Sequence, residues 1–297
     1  MMQLKMGKDG TFKILQLTDL HVGSMPFNEQ DLHTFEHIKD MKEKANPDLI
    51  VISGDLVWSE GVPNPQDSFK ALVTVLNELE TPIAVTYGNH DTEEGITRSD
   101  LRSLESQVHL LAEKKYSHVV EDRESYCVEI TKEDGTVSNV LYLLDSGAED
   151  PLKIGQYEYV HPDQVTWFNE VSRKYQNRTN GFKPDMLFLH IPLLEYKEAF
   201  CNGQVSGTKY EDISSPVINT GLYTSLLING KVAGVFCGHD HDNDFVADYQ
   251  GIKLGFGRIS GFNCYGELTR GARVFTLYDD KAFETSIIET ERFLTVK

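Results

Sequence analysis

The sequence predicts an α/β fold, and three observations support this prediction. Short β-rich runs alternate with helical patterns through the first half of the chain. Each of these runs ends in a polar loop. In open α/β sheets, ligand sites lie in the loops at the carboxyl ends of the strands. Further along, Glu133-Asp134-Gly135 separates two more β-rich runs and indicates a hairpin turn. A second, more antiparallel sheet is therefore expected.

The first half predicts three strands and three helices in alternation. The strands are expected at Phe12–Thr18, Asp48–Ser53 and Pro82–Tyr87. The helices are expected near Asn28–Ala45, Gln66–Glu80 and Arg98–Lys114. Buried strands joined by helices in this way form a parallel sheet, and ligand sites collect at the carboxyl ends of its strands.

The second half predicts mostly strands, with two helices between them. The strands are expected at Ser125–Thr131, Val140–Asp145, Met186–His190, Lys231–Cys237, Ile252–Phe256 and Ala272–Leu277, and the helices near Pro162–Gln176 and Pro216–Asn229. The stretch Ile191–Ser215 is predicted to be irregular, and its length favours a binding loop near the site. No repeat or linker divides the chain, so one domain is expected over residues 1–297.

Composition and charge exclude several classes of protein. Of 297 residues, 40% are hydrophobic and 25% are charged, as in ordinary globular proteins. The net charge of −18, without a Lys/Arg-rich run, argues against binding to nucleic-acid polymers. No signal-like segment and no apolar run of membrane length is found, so a cytoplasmic protein without membrane contact is expected. Four cysteines without CxxC spacing predict reduced thiols.

Metal-binding side chain types recur directly after the predicted strands. They are Asp19, His21, Asp55, Asn89, His90, His190, His239 and His241. Carboxylate, imidazole and amide donors suit Mn, Fe, Zn or Co, and one carboxylate can bridge two ions. Two such ions would orient a phosphate, polarise it and deprotonate a water molecule. The pattern therefore indicates two divalent or mixed-valence metal ions that act on a phosphate ester.

The order of these motifs resembles the calcineurin-like metallophosphoesterase superfamily over about Phe12–Val274. The matching blocks are Asp19-Leu20-His21, Gly54-Asp55, Gly88-Asn89-His90-Asp91, His190 and Gly238-His239-Asp240-His241. The resemblance implies a four-layer α/β/β/α sandwich of two mixed β-sheets flanked by helices. It also implies one ion on Asp19, His21, Asp55 and His241, and a second on Asp55, Asn89, His190 and His239.

Three segments look closest to the purple-acid-phosphatase-like branch of that superfamily. They are His190–Tyr196, Gly207–Gly221 and Gly238–Phe245. Purple enzymes proper carry a tyrosine three residues after the aspartate of the Gly-Asp motif, whereas this chain has Trp58 there. An indole cannot ligate a metal through an anionic oxygen, so a dimetal centre without a tyrosinate ligand is expected.

The resemblance makes His90 the catalytic histidine, which stabilises transition-state charge or protonates the leaving group. Asp91 is expected to orient His90 by hydrogen bonding, which is an inference from the residues alone. Arg258, Tyr265 and Arg270 follow the last metal motif and are candidates to line the substrate mouth, where arginine would grip phosphate oxygens.

Three functions are compatible with these motifs. A phosphomonoesterase acting on a phosphorylated small molecule or phosphoprotein is expected first, and a phosphodiesterase acting on cyclic nucleotides or other diesters is the alternative. A non-catalytic scaffold is the third, although the intact ligand set argues against it. His33-Thr34-Phe35-Glu36-His37 also matches the pattern of inverted zinc proteases, but its charged neighbours indicate a solvated helix face.

Overall fold

The computed structural model describes residues 2–178, 184–279 and 281–292. Within these residues the chain forms six α-helices and fourteen β-strands. The helices are α1 (Glu29–Ala45), α2 (Pro65–Glu78), α3 (Arg98–Glu105), α4 (Pro162–Lys174), α5 (Glu195–Asn202) and α6 (Leu222–Asn229). The strands are β1 (Leu4–Lys5), β2 (Thr11–Leu17), β3 (Leu49–Ser53), β4 (Ile83–Thr86), β5 (Lys115–Val120), β6 (Arg123–Thr131), β7 (Val137–Leu144), β8 (Asp185–Phe188), β9 (Gln204–Ser206), β10 (Val232–Cys237), β11 (Val246–Tyr249), β12 (Ile252–Phe256), β13 (Gly271–Tyr278) and β14 (Glu284–Glu289).

The strands form two sheets, each of which mixes parallel and antiparallel pairs. The five-stranded sheet has the order β14-β13-β2-β3-β4, with β2, β3 and β4 parallel to one another. The nine-stranded sheet has the order β1-β6-β7-β8-β10-β12-β11-β9, and β5 pairs with β6. In that sheet β7, β8 and β10 are parallel neighbours. The hairpin predicted at residues 133–135 joins the antiparallel strands β6 and β7.

Three apolar cores separate four layers, and residue alternation along the strands explains them. Along β2, Ile14 packs between the two sheets, whereas the next residue, Leu15, packs against the helices of the five-stranded sheet. Large aromatic rings such as Phe188 and Phe275 fill the space between the sheets. Helices α1 to α3 cover one sheet, and α4 to α6 cover the other. The predicted α/β/β/α sandwich is confirmed.

Three predicted segments differ from the structure. Helix α6 begins at Leu222 rather than near Pro216. Helix α3 ends at Glu105 rather than near residue 114, because Leu111 forms a parallel bridge with Ile83 at the edge of β4. Ile83 donates its N–H to the carbonyl oxygen of Leu110 and accepts a hydrogen bond from the N–H of Ala112. The stretch Ile191–Ser215 is not irregular throughout, since it contains α5 and the edge strand β9. Among the described residues, no helix has the length and apolarity needed to cross a bilayer.

Candidate metal centre

The loops that follow five parallel strands meet at one edge of the sandwich. Strands β2, β3 and β4 end in one sheet, and β8 and β10 end in the other. All seven predicted metal ligands lie in these loops: Asp19, His21, Asp55, Asn89, His190, His239 and His241. Six of them are buried, and Asn89 is partly exposed. The structure therefore brings together the side chains that the motifs single out.

A first cluster forms around Asp19, His21, Asp55 and His241. Nε2 of His21 lies 3.2 Å from Nε2 of His241 and 3.5 Å from Oδ2 of Asp55. Nε2 of His241 lies 3.4 Å from Oδ1 of Asp19. Two ligands that are each about 2.0 Å from one tetrahedral ion lie about 3.3 Å apart. The spacing of these donor atoms fits a shared cation.

A second cluster shares Asp55 with the first. The donor atoms of Asp55, His190 and His239 lie within 4.8 Å of one another. Nε2 of His190 is 3.1 Å from Oδ2 of Asp55 and 3.1 Å from Oδ1 of Asn89. Asp55 therefore belongs to both clusters, and its carboxylate could contact an ion in either of them.

Two donor atoms of these clusters lack hydrogen bonds of acceptable geometry. Oδ2 of Asp55 and Nε2 of His239 are buried, and neither has such a partner among the described residues. Leaving a buried polar atom unsatisfied costs about 1–3 kcal/mol, and more for a charged group. A bound cation would satisfy both atoms, so the residues present fit a pair of metal ions.

The electrostatics of the clusters divide the histidines into two kinds. Burial opposes protonation of His190 and His241, but Asp55 outweighs it and raises the pKa of His190 to about 9, and Asp19 raises that of His241. These two rings would lose a proton when an ion binds. Burial lowers the pKa of His21 and of His239 to about 3, which keeps both imidazoles neutral. Burial opposes ionisation of Asp19, but the contact with His241 outweighs it and lowers the pKa to about 2. Burial likewise opposes ionisation of Asp55, and the neighbouring His190 holds its pKa well below the usual range. The carboxylates are therefore anionic.

Four of the predicted ligands hold left-handed backbone conformations. The φ angles are 55° at Asp19, 46° at His21, 52° at Asp55 and 78° at His239. This conformation costs roughly 1–2 kcal/mol for each residue that is not glycine. Backbone bonds hold it in place, since Asp19 donates to the carbonyl oxygen of Gly54 and His21 donates to that of Asp55. Strain of this kind concentrates at functional sites.

Glycine is required at two close approaches beside the clusters. A Cβ at Gly88 would lie 2.2 Å from Oδ1 of Asp55, and a Cβ at Gly238 would lie 1.9 Å from Oγ1 of Thr18. Both distances are shorter than any van der Waals contact. Any larger residue at these positions would displace the loops that carry the ligands.

His90 borders both clusters and is held on three sides. Its backbone N–H donates to Oδ1 of Asp55 at 2.9 Å, and its ring stacks on Trp58 with centroids 4.8 Å apart. Nδ1 lies 2.6 Å from Oε1 of Glu93. Burial alone would lower the pKa of His90, but Glu93 outweighs it and the net pKa is raised. Glu93 was missed in the sequence, although its spacing of three residues along a helical turn was a usable signal.

The expected role of Asp91 is wrong. Its carboxylate accepts hydrogen bonds from the backbone N–H groups of Val57 at 2.9 Å and Gly88 at 2.7 Å. Glu93 takes the place beside His90 that was expected for Asp91. Burial raises the pKa of Asp91 to about 7, and the neighbouring Asp55 adds to the effect. Asp91 therefore orders the backbone of the loop that carries Asn89.

Two of the three predicted substrate contacts are structural in this fold. Arg258 is buried, forms ion pairs with Asp244 and Glu289, and donates to the carbonyl oxygen of Thr269. Arg270 donates to carbonyl oxygens of its own loop, those of Gly261, Cys264, Tyr265, Gly266 and Leu268. Both guanidinium groups are committed to these partners. The prediction that they grip phosphate is corrected.

Aromatic rings flank the two clusters at the rim. Tyr265 is 60% exposed and stacks on His241 with ring centroids 4.0 Å apart, while its hydroxyl donates to Oε2 of Glu211. Tyr157 meets His239 edge-on, with centroids 4.3 Å apart. Tyr157 lies in a loop without a sequence pattern, so nothing in the sequence pointed to it. Tyr265 remains a candidate for contact with substrate.

His33 and His37 of the alternative zinc motif lie outside both clusters. Nε2 of the buried His37 is 3.3 Å from the carbonyl oxygen of Gly271. His33 lies 3.9 Å from Glu29 on the same helix. Neither histidine belongs to a candidate metal group among the described residues.

Comparisons with known proteins agree with this geometry. The model of the calcineurin-like phosphoesterase family matches residues 12–243. Probable inactive purple acid phosphatase 14 of Arabidopsis thaliana is 30% identical over 92% of this chain and 76% of its own length. The probable glycerophosphodiester phosphodiesterase GpdQ of Arcobacter nitrofigilis is 24% identical over 77% of this chain and 71% of its own. The structure of a dimetal phosphatase from Danio rerio matches with a TM-score of 0.65 at 13% identity, over 93% of this chain and 95% of that one.

Proposed function

The chain belongs to the calcineurin-like phosphoesterase family, and we propose that it hydrolyses phosphate esters with the help of two metal ions. The observation that carries this proposal is the buried carboxylate of Asp55. Its donor atoms are shared by two clusters, and Oδ2 has no hydrogen bond of acceptable geometry among the described residues. A bridging carboxylate between two ions is the arrangement that two-metal hydrolysis needs.

The two clusters define which residues would hold each ion. Asp19, His21, Asp55 and His241 would hold the first, and Asp55, Asn89, His190 and His239 would hold the second. Ions at these positions would supply Lewis-acid polarisation of the phosphate and a water molecule of lowered pKa. Mn, Fe, Zn and Co all accept nitrogen and oxygen donors of this kind.

His90 would act as the general acid. Its Nδ1 faces Glu93, which leaves Nε2 as the ring nitrogen that can meet a substrate. Water attacks phosphorus and gives up one proton to solvent, the ester P–O bond breaks, and the proton on Nε2 moves to the departing oxygen. The raised pKa of His90 favours the protonated ring that this step requires. Trp58 limits rotation of the ring by stacking on it.

A phosphomonoesterase acting on a phosphorylated small molecule or phosphoprotein is the proposed activity. A phosphodiesterase is the second candidate, because a relative that is 24% identical carries the name of a probable glycerophosphodiester phosphodiesterase. Another relative is named as probably inactive, so activity needs direct measurement. All four cysteines are free thiols, which supports the proposed cytoplasmic location.

The test is an activity screen of the purified chain loaded in turn with Mn, Fe, Zn and Co. We expect hydrolysis of p-nitrophenyl phosphate to exceed that of bis-p-nitrophenyl phosphate, and a chelator to abolish both. Asp55→Ala should lose metal and activity together. His90→Ala should keep its metal and lose about 10²–10⁴-fold in kcat, whereas the exposed His109→Ala should behave as wild type.

A folded, metal-loaded wild-type protein that hydrolyses neither ester would contradict the proposal and favour the scaffold alternative. Faster turnover of the diester would favour the phosphodiesterase instead.

A further inference from the structure

A thiol lies beside the first cluster. Sγ of Cys264 and the ring nitrogens of His21 and His241 lie within 4.8 Å of one another. Of the other cysteines, Cys127 and Cys237 are buried within strands, and Cys201 is exposed on α5. Among the four cysteines, which all fall in the described part of the chain, Cys264 alone belongs to such a group.

The position of Cys264 is set by the backbone of its loop. Arg270 donates to the carbonyl oxygen of Cys264 at 2.9 Å and to that of Gly261 at 2.8 Å. Gly261 in turn donates its N–H to the carbonyl oxygen of Asp19 at 3.0 Å. The loop is therefore tied to a residue of the first cluster, and the thiol is held beside it.

The present partners of the thiol are weak. Sγ lies 3.4 Å from the carbonyl oxygen of Gly261 and 3.9 Å from that of Asp19. A thiol is a weak donor, so these contacts give little stabilisation. Oδ2 of Asp55, which is buried and lacks a hydrogen bond of acceptable geometry, lies 3.5 Å from Nε2 of His21 in the same cluster. Nε2 of His190, in the second cluster, lies 3.1 Å from the same oxygen, so Oδ2 of Asp55 stands between the two clusters and an ion in the first would satisfy it.

We propose that Cys264 is a thiolate ligand of the ion held by Asp19, His21, Asp55 and His241. This inference rests on the proposed function, because it assumes that the clusters hold metal ions. The thiol would release its proton to solvent as the ion binds. Thiolate donors favour zinc and iron over manganese. The first position would therefore select a thiophilic ion.

The second cluster offers a contrast within the same site. Its predicted ligands are Asp55, Asn89, His190 and His239, which supply oxygen and nitrogen donors only. Such a donor set discriminates less between manganese, iron and zinc. With Cys264 as a ligand, the two positions would differ in metal preference.

The experiment compares three cobalt(II)-loaded proteins: wild type, Cys264→Ser and the control Cys201→Ser. A phosphine reductant keeps the thiols reduced. We expect thiolate-to-cobalt charge-transfer absorption in the near ultraviolet for wild type and Cys201→Ser, and its loss in Cys264→Ser. Elemental analysis should find two cobalt ions per chain in each protein. With zinc and manganese in competition, Cys264→Ser should retain less zinc than Cys201→Ser.

A measurement on the wild-type protein removes any dependence on how the variants fold. X-ray absorption at the zinc edge should show a sulfur scatterer at about 2.3 Å. Two bound ions without a sulfur scatterer, or the same charge-transfer band in Cys264→Ser, would overturn the assignment of Cys264 and leave the proposed function standing. Failure of the wild type to bind any ion would overturn both.

Discussion

Oε1 of Glu93 lies 2.6 Å from Nδ1 of His90, so the proposed general-acid role falls to the other ring nitrogen, Nε2. Glu93→Gln removes the carboxylate that raises the pKa of His90 and orients its ring. We expect kcat to fall about 10–100-fold with little change in KM. In the proposed mechanism the protonated ring is the active form, so activity falls as the pH rises through the pKa of His90. Because this pKa is lower in the variant, its activity should fall at a lower pH than that of wild type. Rates measured from pH 5 to 9 test this.

The neighbouring Glu94→Gln is the matched control. Glu94 accepts a hydrogen bond from the N–H of Gly61 and does not contact His90. Its pH profile should follow that of wild type. An unchanged profile in Glu93→Gln would show that Glu93 does not position His90.

We expect Gly88→Ala to abolish metal binding, in addition to any loss of folding stability. The added Cβ would lie 2.2 Å from Oδ1 of Asp55 and must displace this carboxylate. Metal content measured after gel filtration should therefore fall well below that of wild type. Gly135→Ala is the control, because its Cβ would meet nothing within 4 Å, although its φ of +81° makes alanine unfavourable there. This control should lose stability and keep its metal, and equal metal content in both variants would contradict the prediction.

Arg258→Met should destabilise the fold without changing substrate binding. The substitution leaves Asp244 buried without its ion-pair partner Arg258, which costs about 3–5 kcal/mol. Chemical denaturation measures this loss, and Asp244→Asn in the same chain should recover part of it. The exposed pair Lys70 and Asp67 offers a control, since Lys70→Met should cost at most about 1 kcal/mol. A raised KM with normal stability would instead place Arg258 at the substrate.

His37 should make stability fall at mildly acidic pH. Burial lowers its pKa to about 4, whereas the unfolded chain has a histidine pKa of about 6.5. Below pH 6.5 the His37 ring binds a proton in the unfolded state, whereas in the folded state it stays neutral until the pH approaches 4. The contribution of the neutral ring is therefore complete above pH 6.5 and is lost as the pH falls towards 4, by at most about 1.4 kcal/mol per pH unit.

The comparison of wild type with His37→Gln isolates this group. Urea unfolding at pH 7.5 and at pH 5 should show a smaller loss of stability in the variant than in wild type. Equal losses in the two proteins would show that His37 does not carry the effect.

The metal-binding loops could be predicted because the strands before them are continuous apolar runs. All five residues of Leu49–Ser53 are buried. A parallel strand that is buried on both faces appears in the sequence as a continuous hydrophobic run, which is easy to recognise. The edge strand Gln204–Ser206 is exposed throughout, so it has no apolar pattern. It pairs with β11 through the backbone, and sequence patterns do not record backbone pairing. The extent of the domain, residues 1–297, stays a prediction.

The partners of the site residues were harder to predict than the residues themselves. The sequence does not show whether an arginine contacts a phosphate or a buried carboxylate. Arg258 was therefore predicted to contact substrate, whereas in the structure it forms an ion pair with Asp244. Cys264 and Tyr157 reach the clusters from loops without a pattern. Glu93 was missed as well, although it lies three residues after His90, at the end of the short helical turn His90–Thr92.

His21 and His241 are 220 residues apart in the chain, yet their Nε2 atoms are 3.2 Å apart. A ribosome must therefore release most of the polypeptide before these two rings can meet. Contacts between such distant segments form slowly because the intervening chain must first be closed into a loop. A nascent chain that still lacks β10 carries Asp19, His21, Asp55 and His190 without His239 and His241, which follow β10. Neither cluster is therefore complete until the loop after β10 has been synthesised.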